Sequence, residues 1–277
     1  MTKFLVTGAT GNVGRQVVAR LLPGDVRALT RNPATANLPA DVDVRQGGIE
    51  DIETALDDVD AVFLMWPFHS GDPAATVVDA IKRHARRVVF LSSGSVVEPG
   101  NVVGIWHEAV ERAIEASGLE WTVIRPSAFA ANTLWWANQI RAGDAVHGVR
   151  GSIAAPLLHE ADMAAVAVHA LTHDGHDRRI HTLTGPETLS QVDQVRIIGE
   201  VLGRPLYWVE ETPDEARARL LADDTFPNSF VEPLLTGYQE MLTKPHAPVT
   251  STVADVTGRP ARTLRQWVAD HRADFAR

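Results

Sequence analysis

Three glycines at intervals of three, Gly8, Gly11 and Gly14, follow the apolar run Phe4-Leu5-Val6. They open a helical pattern of Val13, Val17, Val18, Leu21 and Leu22. The order is strand, glycine turn, helix. Such a turn needs backbone angles that a Cβ resists, and room for a ligand to approach the main chain. Amides at a helix start, helped by the helix dipole, hold a phosphate. The spacing is G-x-x-G-x-x-G, not the commoner G-x-G-x-x-G. Its place after a first strand and before an amphipathic helix points to a dinucleotide pyrophosphate held by Gly8, Thr10, Gly11, Asn12, Val13 and Gly14. A tight strand–helix connection without a ligand is the alternative.

The 277 residues suffice for one large domain, or one domain with a smaller appendage. With 45% hydrophobic residues a substantial core forms without staples. The absence of cysteine excludes disulfides, thiolate metal ligands and a cysteine nucleophile. A net charge of −9 opposes non-specific binding to nucleic acid. Neither a signal segment nor a membrane-length apolar run is present, so the expectation is a soluble, cytoplasmic protein.

Further strands read at Val26–Arg31, Asp41–Gly47, Asp60–Met65, Arg87–Leu91 and Trp121–Ile124. Helices alternate with them, the last of these running from Gly104 to Ser117 and closed by Gly118. This alternation predicts an α/β fold, a doubly wound parallel sheet of Rossmann type with right-handed crossovers. Ligands of such sheets lie beyond the carboxyl ends of the strands. That places Met65, Trp66 and Pro67, with Phe68 and His69, beside the cofactor, plain edge packing being the alternative for the aromatics. No acid stands about 20 residues past the glycines, where NAD-binding folds hold the ribose. Thr30 and Arg31 stand there instead, and a guanidinium suits the 2′-phosphate of NADP. NADP(H) is therefore the preferred cofactor and NAD(H) the lesser alternative.

From Phe129 the pattern changes. Asn132–Ile140 reads as a helix bearing Trp135-Trp136, Gly143–Gly151 as a loop or hairpin, Asp162–Leu171 as an apolar helix and Arg179–Leu183 as a strand. Leu189–Leu202, Pro213–Leu221, Phe230–Leu242 and Thr263–Phe275 read as helices, with Pro205, Pro213, Pro227, Pro233 and Pro245 as punctuation. The domains are then 1–150, a dinucleotide-binding domain to which 160–184 returns, and 185–277, a smaller, mostly helical substrate lobe.

The run Thr7-Gly8-Ala9-Thr10-Gly11-Asn12-Val13-Gly14 resembles the start of atypical short-chain dehydrogenases, in particular the NmrA-like group. Ser92-Ser93, Glu111, Ser117-Gly118-Leu119, Thr122–Pro126, Phe129 with Asn132, Thr184–Glu187, and Thr257–Pro260 with Trp267 are similar to the same group, so the resemblance covers nearly the whole chain. It implies a Rossmann fold, NADP(H) as the usual ligand and a C-terminal substrate lobe. Some relatives reduce quinones or other carbonyls; others bind the dinucleotide and report redox state through a partner. Two departures stand out. Many members carry Gly-Asp after the third strand; Gly48 is in that place here, which leaves adenine contacts to Ile49 and the backbone. Short-chain dehydrogenases generally use Tyr-x-x-x-Lys, whose Tyr donates the proton. Counted back from Glu111, these positions are Val103 and His107. The chain's tyrosines, Tyr207 and Tyr238, and its lysines, Lys3, Lys82 and Lys244, cannot form that pair.

The catalytic candidates are therefore His107, Ser92 and Ser93, the serines as holders of a substrate oxygen. No G-x-S-x-G elbow supports a hydrolase. His169 and His173 have the i, i+4 spacing of paired ligands, with His176 and His181 following, but no zinc-protease pattern accompanies them and no metal is expected. His176 reads as a surface residue. Trp135 and Trp136 point to different helix faces, so at most one should line a pocket. The expected function is an NADP(H)-dependent oxidoreductase acting on an apolar carbonyl or quinone without the Tyr-x-x-x-Lys pair, an acceptor that takes hydride without a strong acid. A non-catalytic, redox-sensing regulator working through a protein partner is the alternative. The expected ligand is small and apolar or aromatic, with neither nucleic acid nor membrane involved, and a protein partner or homodimer is left open.

Overall fold

The computed structural model describes residues 2–223, 226–242 and 248–276. Lys244 and Pro245 lie outside them. The strands in chain order are β1 (Lys3–Thr7), β2 (Asp25–Thr30), β3 (Asp43–Gln46), β4 (Ala61–Met65), β5 (Arg87–Leu91), β6 (Glu120–Pro126), β7 (Ala145–Gly148), β8 (Ala154–Ala155), β9 (Arg179–Leu183), β10 (Leu189–Ser190) and β11 (Tyr207–Glu210). The helices are α1 (Asn12–Leu21), α2 (Ala74–His84), α3 (Val102–Ser117), α4 (Ala137–Ala142), α5 (Glu160–Thr172), α6 (Gln191–Leu202), α7 (Pro213–Leu221), α8 (Val231–Met241), α9 (Thr252–Thr257) and α10 (Leu264–Asp270). Among the described residues no helix is long and apolar enough to cross a membrane.

The chain forms two units, the first comprising 1–127, 160–183 and 251–260. Its sheet has the order β3-β2-β1-β4-β5-β6-β9, with every pairing parallel. This is the doubly wound fold expected from the alternation, extended by β9. The central strands read as apolar runs because both faces are covered. Leu5, Val62, Leu64, Val88, Phe90, Trp121 and Val123 share a core with Val77, Ile81, Val110 and Ile114 of α2 and α3. Their strand neighbours Val6, Phe63, Val89 and Ile124 point to the other face and are also buried. There α5 packs on α1, β4, β5 and β6. Its alanines, Ala161, Ala164, Ala167 and Ala170, allow a close approach, and all four are buried.

The second unit comprises 128–159, 184–250 and 261–277. The boundary lies at 127/128 rather than near 150. The reason is packing: Ala130, Ile140 and Val146 share a core with Ile198, Leu206, Leu264 and Trp267. Residues 251–260 belong to the first unit, where α9 packs on α5. Asn132–Ile140 is not one helix but a 3-10 segment, Ala130–Trp136, followed by α4. Within Gly143–Gly151, β7 pairs in parallel with β11, not in a hairpin. Leu189–Ser190 pairs with β8, so α6 starts at Gln191 with Ser190 as its N-cap. The last helix ends at Asp270, and a separate 3-10 turn spans Arg272–Phe275.

Arg87 locks the base of the sheet. Its side chain is 10% exposed and ion-pairs with Glu120 at 2.9 Å. It also donates to the carbonyls of Leu171 (3.1 Å) and His173 (2.9 Å), which α5 leaves without amide partners at its end. A cation there also complements the helix dipole. The ion pair with Asp174 adds little, because that carboxylate is 98% exposed. Arg87→Leu should therefore destabilise the protein by about 1–3 kcal/mol, chiefly the cost of leaving the α5 end carbonyls unpaired, since Glu120 is 34% exposed. Urea unfolding measures this, and a change below about 0.5 kcal/mol would assign Arg87 to the surface class.

Candidate functional site

The glycine turn leaves the carboxyl end of β1, between β2 and β4, where the strand order reverses. The Thr7 hydroxyl donates to the Phe63 carbonyl at 3.1 Å and accepts the Met65 amide at 2.8 Å, which ties the ends of β1 and β4 together. Gly8 has φ +60°, and a Cβ on it would lie 2.6 Å from Met65 Cε. The Gly11 amide donates to the Gly8 carbonyl at 3.0 Å, closing the turn. Gly14 is required by contact: its Cβ would stand 2.1 Å from the Gly8 oxygen. Gly11 differs from both. Its φ of −79° suits any residue, and a Cβ would meet only the Gly8 oxygen, at 3.3 Å. Glycine at 11 therefore provides open space over the turn. The first turn of α1 has neither a side-chain cap nor an acidic residue, so its amides and positive dipole end suit a pyrophosphate. The residues fit a bound dinucleotide.

At the end of β2, Thr30 is buried and its hydroxyl accepts the Asn32 amide at 3.4 Å. Arg31 is exposed, with no ion pair among the described residues. Sequence reasoning missed Arg15, whose guanidinium donates to the carbonyls of Thr10 (3.2 Å) and Asn37 (3.4 Å). The signal was available: a cation one turn after Gly11 on the helix that opens the cradle. Ile49 is 5% exposed and packs with Leu29 and Leu56, so its side chain is core, and only its backbone is left for adenine. Over Gly48 stands the Glu50 carboxylate, which a Cβ at 48 would strike at 2.3 Å.

Along the β4 exit, Met65 is half-buried against Gly8 and Pro67 is exposed. The Trp66 ring is buried, donates its indole N–H to the Ser70 carbonyl at 2.9 Å and meets Phe68 edge-on at 5.1 Å. It is packing, not a cofactor-facing aromatic. His69 stacks on Trp106 of α3 at 5.2 Å.

Ser92, placed by sequence as a holder of a substrate oxygen, is 4% exposed and donates its hydroxyl to Glu111. Glu111 in turn takes both Arg125 Nε, at 3.0 Å, and an Arg125 terminal nitrogen. The carboxylate raises the already high Arg125 pKa. Ser92 is therefore part of a buried ionic cluster that fixes α3 against β6, and its proton is committed. Ser93 accepts the Ser95 amide at 3.1 Å and caps the 3-10 turn Gly94–Val97. His107 is half-buried beside Phe90, ring centroids 6.0 Å apart. Its Nδ1 lies 2.8 Å from the Val103 carbonyl. A carbonyl only accepts, so Nδ1 carries the proton and Nε2 is the acceptor of the neutral ring. Burial pulls the His107 pKa below its ordinary value, against the smaller opposing effects of that hydrogen bond and of Glu111. No Tyr or Lys occurs in α3.

In the second unit, Trp135 and Trp136 both line a cavity of about 30 Å³, room for little more than a water. The expectation that only one would do so assumed a regular helix; in the tight 3-10 turn the rings diverge, Trp135 meeting Phe226 and Phe230, and Trp136 meeting Trp208. Tyr238 lines the same cavity, and burial pushes its hydroxyl up to about 12.

A glycine turn at the switch point of a doubly wound parallel sheet defines a Rossmann-type nucleotide-binding fold, and comparison with known proteins gives the cofactor. Residues 8–174 match the NAD(P)H-binding family model, and the chain belongs to that family. It is 38% identical, over 99% of both chains, to a (4-alkanoyl-5-oxo-2,5-dihydrofuran-3-yl)methyl phosphate reductase of Streptomyces griseus. It is 31% identical to an NAD(P)H azoreductase of Xenophilus azovorans, over 98% of this chain and 99% of that one. The NADPH-dependent quinone oxidoreductase of Escherichia coli shares the fold with a TM-score of 0.80 at 22% identity, over 97% of this chain and 99% of that one.

Gly11→Asp should abolish dinucleotide binding while leaving the melting temperature near wild type, because the backbone at 11 tolerates a side chain but the ligand does not. NADPH titration followed by fluorescence tests this, and near-wild-type affinity would refute the assignment of the cradle.

Proposed function

We propose that the protein is an NADPH-preferring reductase of conjugated, apolar electron acceptors such as quinones and unsaturated carbonyl compounds. The observation that carries this reading is the missing proton donor. The positions of the usual Tyr and Lys are Val103 and His107, and Ser92 is bound to Glu111. An isolated ketone needs a strong acid as hydride arrives, because the charge collects on one oxygen. A quinone, an azo group or an unsaturated lactone ketone spreads that charge over its own π system. The acceptors named for the relatives, an azo compound, a quinone and a (4-alkanoyl-5-oxo-2,5-dihydrofuran-3-yl)methyl phosphate, are conjugated in this way, the last of them also carrying a phosphate. Bound NADPH supplies the hydride. The chain's own residues would orient it: the α1 amides would hold the pyrophosphate, Arg31 would meet the 2′-phosphate, and Met65 backs the turn.

The test is NADPH oxidation with a panel of quinones, conjugated enones and simple ketones. Turnover with the conjugated acceptors and none with simple ketones is expected. Tight NADPH binding without oxidation of any acceptor would overturn the proposal in favour of a redox-sensing regulator.

Arg31 supplies a charge-assisted contact of about 1.5–3 kcal/mol to the 2′-phosphate, roughly a 10- to 100-fold preference for NADPH over NADH. Arg31→Ala should remove most of it in paired binding titrations, and equal wild-type affinities for the two cofactors would sink the assignment.

His107 is the remaining group that can pass a proton to a substrate oxygen. Only its imidazolium has Nε2–H available, and burial lowers its pKa from the ordinary 6.5. The acid form therefore grows as pH falls below that value, and turnover should rise from pH 7.5 towards pH 5.5. His107→Gln should flatten this profile and lower turnover by about 10²-fold at the acidic end, with NADPH affinity unchanged. Superimposable profiles would exclude His107 from the chemistry.

A further inference from the structure

The exits of β2 and β3 lie side by side in the first unit. Thr30 pairs with Gln46, and the Gly47 amide donates to the Thr30 carbonyl at 3.0 Å. Gly47 and Gly48 therefore stand next to the end of β2, which leads into Arg31. Gly48 has φ −92° and ψ 179°, extended backbone that any residue adopts. What a side chain there would meet is the Glu50 carboxylate. A Cβ on Gly48 would stand 2.3 Å from Glu50 Cδ and 2.3 Å from each of its two oxygens. The carboxylate thus occupies the place into which a side chain at 48 would project.

The acids around this exit differ in what holds them. Asp43 pairs with Arg27 at 2.8 Å and with Arg45 at 2.9 Å, and Glu53 pairs with Arg83 at 2.7 Å. Glu50 is exposed and has neither a hydrogen bond nor an ion pair among the described residues. Asp51 faces the other glycine, its Oδ2 3.9 Å from where a Cβ on Gly47 would lie. Glu50 therefore presents an uncommitted acceptor over bare backbone, beside the strand end at which Thr30 and Arg31 stand.

We propose that Glu50 selects adenine in the bound dinucleotide by accepting a hydrogen bond from the 6-amino group of the base. The inference rests on the reading of the glycine turn as an NADPH site. In the sheet order β3-β2-β1, the pyrophosphate belongs at the end of β1 and the adenosine ribose at the end of β2. One strand further in the same direction is the exit of β3, with Gly47, Gly48 and the Glu50 carboxylate. Two residues without side chains leave space there for a flat base. Adenine offers an amino donor at carbon 6, whereas hypoxanthine and guanine carry an oxygen. A carboxylate only accepts, so it satisfies the amino group and opposes the oxygen. An ionised acceptor also makes the stronger hydrogen bond. The neighbouring cations do not compete for it, because Arg27 and Arg45 are held by Asp43, and Arg83 by Glu53. Gly48 belongs to the same device, since a side chain at 48 would push the carboxylate aside.

The test is a pair of fluorescence binding titrations, one with NADPH and one with reduced nicotinamide hypoxanthine dinucleotide phosphate, which carries oxygen in place of the amino group. Wild type should favour NADPH by about 10-fold. Glu50→Gln keeps the shape of the side chain and supplies a donor for that oxygen, so the two affinities should come within about threefold of each other. Gly48→Ala displaces the carboxylate without removing its charge, and should reduce the preference as well. Asp51→Asn should keep the preference of wild type. Glu50 is exposed, so the melting temperature of Glu50→Gln should stay near that of wild type. Equal wild-type affinities for the two nucleotides would overturn the proposal. So would an unchanged preference in Glu50→Gln, or a preference lost in Asp51→Asn. Each of these results leaves NADPH binding itself intact. Absence of binding of both nucleotides to wild type would instead overturn the NADPH reading, and this inference with it.

Discussion

The contact between Gly14 and the carbonyl of Gly8 is the constraint on which the first unit depends. A side chain at 14 would stand 2.1 Å from that oxygen, so β1 and α1 meet only because none is there. The contact aims the start of α1 at the gap between β1 and β4. Thr7 then bonds to both Phe63 and Met65 and holds that gap in register. The form of the turn is a consequence of this packing: amides without side-chain caps, at a positive helix end, beside a glycine whose Cβ would meet only the Gly8 oxygen.

A second organising element is ionic and buried. Glu111 gathers Ser92 from the end of β5 and Arg125 from β6. Each charge is neutralised where water is scarce, and removing one member would leave another uncompensated. The cluster occupies the helix face on which ordinary short-chain dehydrogenases build their proton donor. Here that face provides scaffold and His107, whose ring is tied to its own helix backbone. A site arranged in this way suits acceptors that stabilise the incoming charge themselves.

Local patterns carried much of this in the sequence. The glycine spacing, the strand–helix alternation up to Ile124 and the left-handed Gly118 at the end of α3 were legible because each depends on near neighbours. What was misread depends on distant partners. Trp66 sits at a strand end that reads as ligand-facing, yet Ser70 and the core hold its ring. Ser92 reads as a reactive hydroxyl, and only folding brings Glu111 to it. The segment Gly143–Gly151 reads as a loop or hairpin because its partner strand β11 lies far along the chain, Ala145 pairing with Tyr207.

The sequence by itself determined the class of fold and the position of the glycine turn, since these are matters of residue type and spacing. Only the tertiary structure decided which polar groups are committed to one another. Ser92, Glu111 and Arg125 come from three elements, as do His169, His176 and His181, which hydrogen-bond to one another, with His176 half-buried rather than at the surface. A hydrogen bond is decided within a few tenths of an ångström, and only the packed sheet and helices fix positions that finely.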